Sequence, residues 1–205
     1  MEIKAIVFDI GGVLLEEHGK GSIDILVKKF GIDGEAFSEF VKKPLKESYE
    51  GRINGDEIFK MAKDELGISV SVNELVSAWL DARRQTSRIN KEVKELVKSL
   101  KGKYVVASFT DTTKLNDIVR NELGVYDLFD FNVRSTETGF WKQEKGMHEF
   151  LLLRFKEKSI NPGEIVFIDD DDFKLEPARS LGIRTILFEN PEKLKKDLKS
   201  LGVEL

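Results

Sequence analysis

From Tyr104 to its end the chain alternates short apolar runs with amphipathic stretches, and this alternation limits the fold more than any other feature. Tyr104 to Phe109, Asp130 to Val133, Ile165 to Ile168 and Arg184 to Phe188 read as strands, with helices starting near Thr112, Glu144, Phe173 and Pro191. Strands joined through helices lie parallel, so one mostly parallel sheet with helices on both faces is expected. An earlier strand belongs to the same pattern. Ile3 to Phe8 is apolar and β-branched, stops on Asp9, and is cut off by Gly11 and Gly12.

Between that strand and Asn90 the pattern turns helical. Ile23, Leu26, Val27 and Phe30 recur at three- and four-residue spacing, and Gly31, Pro44, Gly51 and Gly67 punctuate the stretch. About three or four helices and no strand are expected from Ser22 to Gln85. Asn90 then caps one more helix, carrying Val93, Leu96, Val97 and Leu100 and closed by Gly102. A block this long is no ordinary connection. Residues 16–85 are therefore expected to form an α-helical cap inserted into an α/β core of residues 1–15 and 86–205.

Composition narrows the chemistry. A net charge of -4, with Lys and Glu spread along the chain, argues against a nucleic-acid surface, and Lys193 to Lys199 reads as a solvated helix face. Without cysteine there is no disulfide, thiolate metal site or thiol nucleophile. A metal must then use oxygen ligands or the two histidines, yet His18 and His148 are not at ligand spacing and are expected on the surface, outside the site. The apolar run at the start is too short for a signal peptide or a membrane span, so a cytoplasmic protein with no membrane partner is expected. The sequence carries no signal of oligomeric state.

In an open parallel sheet, reactive side chains collect at the carboxyl ends of the strands, where the strand order reverses. Asp9 ends the first strand, Thr110 and Asp111 end the second, Lys142 follows the third, and Asp169 to Asp172 follow the strand that begins at Ile165. A carboxylate, a hydroxyl, a lysine and an acidic cluster on one edge suit a phosphate ester bound with a divalent cation, since magnesium takes oxygen ligands. Consecutive aspartates also raise one another's pKa unless a cation neutralises them. Plainer readings stand beside these: Asp9 as a turn cap, the acidic run as a solvated loop, and Thr110 as an ordinary strand-end hydroxyl with Ser108 competing for its place.

Taken in order, these pieces resemble the haloacid dehalogenase superfamily, whose strands present Asp, then Ser or Thr, then Lys, then an acidic pair. Phe8 to Leu14 is similar to the first motif, Val105 to Asp111 to the second, Trp141-Lys142 to the third and Phe167 to Asp170 to the fourth. The helical insertion resembles the cap of the family's helical-cap branch. Within it, Tyr49 to Phe59 is similar to a segment of sugar-phosphate phosphatases and of the phosphatase domain of epoxide hydrolases. The resemblance implies a Rossmann-like core and a phosphatase that acts on a small phosphorylated metabolite with Mg2+ as cofactor. It implies that Asp9 attacks phosphorus to form an aspartyl-phosphate, that Thr110 and Lys142 hold the charged oxygens, and that Asp9, the carbonyl of Gly11 and Asp170 bind the metal, with Asp169 and Asp171 as outer helpers.

The chain departs from the family pattern at three positions. Gly11 stands where phosphatases usually carry a second Asp, Gln143 where Pro is usual, and Lys174 where Asn or Asp is typical. An acid–base contribution of about 10²–10⁴-fold must then come from a cap carboxylate, Asp111 or His18, or be forgone in favour of good leaving groups such as sugar 1-phosphates, aryl phosphates and acyl phosphates. Three other readings stay open: a catalytically silent relative that binds a phosphorylated ligand or a protein, a metal-free dehalogenase, and a phospho-accepting receiver domain.

Overall fold

The computed structural model describes residues 2–17 and 19–205. Five strands form one parallel sheet in the order β5-β4-β1-β6-β7: β1 (Ala5–Phe8), β4 (Val105–Thr110), β5 (Phe131–Arg134), β6 (Ile165–Asp169) and β7 (Arg184–Leu187). The chain builds outward from β1 through β4 to β5, then returns across β1 to β6 and β7. The order therefore reverses between β1 and β6, which is where such sheets open a crevice.

Both faces of the sheet are buried, which is why its strands read as continuous apolar runs. On one face Ile6, Phe8, Val106 and Ile168 pack against Val93, Leu96, Val97 and Leu100 of α6 (Lys91–Leu100) and Leu194 and Leu198 of α11 (Pro191–Ser200). On the other, Val7, Phe109 and Phe167 pack against Met147, Leu151 and Phe155 of α9 (Lys145–Lys156) and Leu175 and Ala178 of α10 (Asp172–Ser180). Each large aliphatic side chain withdrawn from water here is worth roughly 1.5–3 kcal/mol.

The expected elements need small corrections. Asp130 lies just outside β5: its N–H donates to Val106 O and its carboxylate accepts from Val106 N, so it closes the sheet edge. Tyr104 likewise precedes β4. The helix expected near Thr112 begins later, as α7 (Lys114–Glu122) capped by the Thr113 side chain, and Glu144 stands just before the first residue of α9 instead of opening it. A short α8 (Ser135–Thr138), not expected from the sequence, follows β5.

From Ser22 to Gln85 the described residues hold no strand, as expected, but the helices exceed the expected number. They are α1 (Gly19–Phe30), α2 (Gly34–Lys42), α3 (Leu45–Tyr49), α4 (Gly55–Leu66) and α5 (Val72–Thr86). The extra one arises at Pro44, which supplies no N–H to continue α2 and starts α3. Leu26, Phe37, Phe59, Leu75 and Ala78 give these helices a core of their own. Two short strands missed by the sequence reading, β2 (Leu15–Glu17) and β3 (Ser87–Ile89), flank the block and pair antiparallel, Leu15 opposite Ile89. At three residues each they are too short for a periodicity to register. No helix of the described residues is long and apolar enough to cross a membrane.

Candidate active site

Register brings the site together. Phe8 stands level with Ser108 on β4 and with Ile168 on β6, so the residues just beyond these three emerge at one sheet edge. Asp9 extends the ladder by one bond, its N–H donating to Ile168 O at 2.8 Å. The chain then turns back sharply: the N–H groups of Leu14 and Leu15 both donate to Ile10 O, and Gly12 adopts φ +81°. A side chain at that angle is strained, and glycine relieves it.

Asp9 is buried in the crevice between β1 and β6. Its Oδ1 accepts from the N–H of Ile10 at 2.6 Å and lies 2.6 Å from Lys142 Nζ. Lys142 is itself fully buried and donates from Nζ to Asp169 Oδ2 at 2.7 Å, so one ammonium spans two carboxylates. Burial pulls the Lys142 pKa down, but Asp9, Asp169 and Asp111 outweigh it and hold the ammonium above the ordinary lysine range. Burial pushes the Asp9 carboxyl upward, with Lys142 opposing and Asp169 adding to the rise.

The four consecutive aspartates do four different things. Asp169 is buried, with Oδ2 on Lys142 and Oδ1 accepting from Asp171 N at 3.0 Å. Asp170 is exposed to the cavity, and its pKa is raised by burial and by Asp9. Asp171, expected as a carboxylate helper of a metal, instead caps α10 by accepting from Phe173 N at 3.0 Å. Asp172 pairs with Arg179 on the surface. Asp9, Asp169 and Asp170 each offer a carboxylate oxygen within 4.8 Å of the others. Because both Asp169 oxygens already have donors, Asp9 and Asp170 are the carboxylates best suited to a hard cation such as magnesium, and Gly11 lines the same cavity.

Thr110 ends β4 beside them. Its Oγ1 donates to Asp111 O at 3.1 Å and accepts from Arg120 Nη1 at 3.1 Å. Ser108, the competing hydroxyl, does not line the cavity that Thr110 lines: fully buried, it donates to Asn132 Oδ1 at 2.6 Å. Asp111 Oδ1 accepts from the N–H of Lys142 at 2.9 Å, and burial raises its pKa. His148 is not a surface residue as expected. It is fully buried, with Nε2 2.7 Å from Lys142 O. His18 lies outside the described residues.

Asp9, Gly11, Thr110, Asp111, Lys142 and Asp170 line a cavity of about 390 Å³, and Tyr49 of α3 reaches it from the helical block. Tyr49 and Asn116 also line a larger cleft of about 970 Å³ among α1, α2, α5 and α7. Sequence reasoning missed Arg120 and Asn116 as lining residues, whereas Trp141 and Lys174, both singled out from the motifs, do line the cavity. For Asn116 and Arg120 a signal existed: they lie four apart on α7, the helix that leaves the reactive end of β4, and so share a face.

The model of the haloacid dehalogenase-like hydrolase family matches residues 3–182. The chain is 24% identical to bifunctional epoxide hydrolase 2 of Mus musculus over 98% of its own length and 39% of that protein, so it spans about two fifths of that relative. It is 22% identical to D-ribitol-5-phosphate phosphatase of Bacteroides thetaiotaomicron, covering 96% of this chain and 97% of that one. Among solved structures, a HAD family enzyme of Bacteroides thetaiotaomicron in complex with magnesium and inorganic phosphate superposes with a TM-score of 0.76 at 24% identity, covering 94% of this chain and 98% of that one.

Proposed function

Because the chain belongs to the haloacid dehalogenase-like hydrolase family, we propose that it is a magnesium-dependent phosphatase of a small phosphorylated metabolite, with residues 16–85 acting as a cap over a core of residues 1–15 and 86–205. The observation that carries this reading is the convergence of Asp9, Lys142, Thr110 and Asp170 on one cavity. The relatives add support, since one is a sugar-alcohol phosphate phosphatase by name and a structural neighbour holds magnesium with phosphate.

In this reading Asp9 is the nucleophile. Its carboxylate forms a bond to phosphorus as the ester P–O bond breaks, giving an aspartyl-phosphate that water then hydrolyses. Ile10 N–H and Lys142 hold the Asp9 carboxylate in place at Oδ1. The Lys142 ammonium stabilises the charge on the phosphoryl oxygens, and so does the Thr110 hydroxyl once it exchanges Asp111 O for a phosphoryl oxygen. Magnesium held by Asp9, Asp170 and the Gly11 carbonyl would neutralise the phosphate and orient it. Gly11 offers no proton to the leaving oxygen, so esters with good leaving groups are the favoured substrates. Tyr49 and the adjoining cleft receive the remainder of the molecule.

The test is hydrolysis of p-nitrophenyl phosphate by wild type and Asp9→Asn, each with magnesium and with EDTA. Turnover that requires both Asp9 and the metal is expected. Folded wild-type protein that is silent under every condition overturns the reading.

A further inference from the structure

His148 does nothing obvious for the fold. It is fully buried between the rings of Phe109 and Phe167, with centroids 4.8 and 6.2 Å away, and its Nδ1 has no hydrogen-bond partner. A buried polar atom without a partner is destabilising, and a phenylalanine would fill such an aromatic niche without that penalty. Polar residues kept where packing favours an apolar one mark positions held for another reason.

The other ring nitrogen supplies the reason. Nε2 lies 2.7 Å from the carbonyl of Lys142, and a carbonyl only accepts, so Nε2 carries the proton. At the other end of the same residue, the Lys142 N–H donates to Asp111 Oδ1 at 2.9 Å. Both backbone groups of Lys142 are therefore pinned, one from α9 and one from the end of β4. The need is local. Lys142 sits inside the turn from Trp141 to Glu144, closed by one backbone bond of 2.9 Å, and Gln143 adds no ring to restrict the chain there. Yet the Nζ of this residue must lie within 2.7 Å of two carboxylates at once.

We propose that His148 is a positioning residue: by holding the Lys142 carbonyl against the pull of Asp111 on the Lys142 N–H, it aims the Lys142 ammonium between Asp9 and Asp169. The proposal rests on the phosphatase reading for its effect on turnover, though not for its effect on the Lys142 backbone. It also gives Asp111 a part different from the acid–base one considered from the sequence.

Two substitutions separate positioning from packing. His148→Phe keeps the ring and removes the donor, whereas His148→Gln keeps a donor near the Nε2 position and places an amide in an apolar niche. The expected results run in opposite directions. Phe removes the unpaired Nδ1 but leaves the Lys142 carbonyl without its donor, so it should unfold close to the wild-type temperature, and it should lose about 10–100-fold in kcat on p-nitrophenyl phosphate with magnesium, because small misplacements of a catalytic group cost rates of that order. Gln should unfold at a lower temperature and keep kcat within about threefold of wild type. If kcat instead follows the unfolding temperature across the series, His148 is merely structural and the proposal fails. Exchange of the Lys142 amide hydrogen, followed by NMR, reads the same clamp without turnover. It should accelerate about tenfold in Phe and not in Gln, and unchanged exchange in Phe overturns the proposal. A wild type without turnover sinks the phosphatase reading alone, since exchange still decides the clamp.

Discussion

Gly12 and Asp170 touch so closely that a Cβ on the glycine would lie 1.9 Å from a carboxylate oxygen of the aspartate. The first motif and the acidic run are therefore fitted to each other, and the position of Asp170 depends on a missing side chain. Gly12→Ala should push Asp170 aside and cost about 1–3 kcal/mol from the left-handed backbone alone. In the proposed phosphatase, the magnesium concentration for half-maximal turnover should rise at least about tenfold, which corresponds to the loss of one ligand contact worth about 1.4 kcal/mol. A magnesium titration of p-nitrophenyl phosphate turnover checks this, and an unchanged midpoint removes Asp170 from the ligand set.

Lys142→Met leaves Asp9 and Asp169 facing each other in a buried crevice without their common cation. Breaking a buried pair in this way is expected to destabilise by about 3–5 kcal/mol, and turnover should fall more than about 100-fold. Urea unfolding with and without magnesium is the measurement. Magnesium should stabilise the variant more than the wild type, because the ion supplies the positive charge that the lysine no longer does.

Burial pushes the His148 pKa down to about 4 from its ordinary 6.5. The folded state thus resists protonation more than the unfolded chain does. The stability tied to this group is complete above pH 6.5 and declines by about 1.4 kcal/mol per pH unit as pH falls toward 4. His148→Phe has no such group, so the stability difference between wild type and variant should shift in the variant's favour across that window. Parallel curves from pH 7 to 4.5 would show that His148 is not held neutral.

Arg84 on α5 donates to both oxygens of Glu122 on α7, at 2.7 and 2.8 Å, and so ties α5 to the helix that follows β4. Both side chains are nearly half exposed. Solvent screens such pairs, so Arg84→Ala should lower the unfolding temperature only slightly, and the difference should vanish in roughly 1 M salt. A larger loss that persists in high salt would mean that the tie acts through packing.

The α/β core was legible because its strands are apolar on both faces and end abruptly. That Asp9, Thr110, Lys142 and Asp170 meet at one cavity could be read from their places at strand ends and their order along the chain, though not from any one of them alone. What stayed hidden depends on contacts between distant segments. A histidine in a charged helix reads as exposed until Phe109 and Phe167 are seen to enclose it. Asp171 looks like its neighbours until the first turn of α10 claims its side chain. Arg120 is one cation among many until the end of β4 is placed beneath it.

The pairing of β2 with β3 brings residues 17 and 87 side by side, so everything from 18 to 86 occupies the place of a hairpin's turn. Seen from the sheet, that segment is a single loop closed at its base. Its length and contents can change without altering a hydrogen bond of β1, β4 or β6. Evolution can therefore exchange the whole helical block as a cassette, and with it the walls of the cleft beside Tyr49, while the reactive edge of the sheet stays as it is.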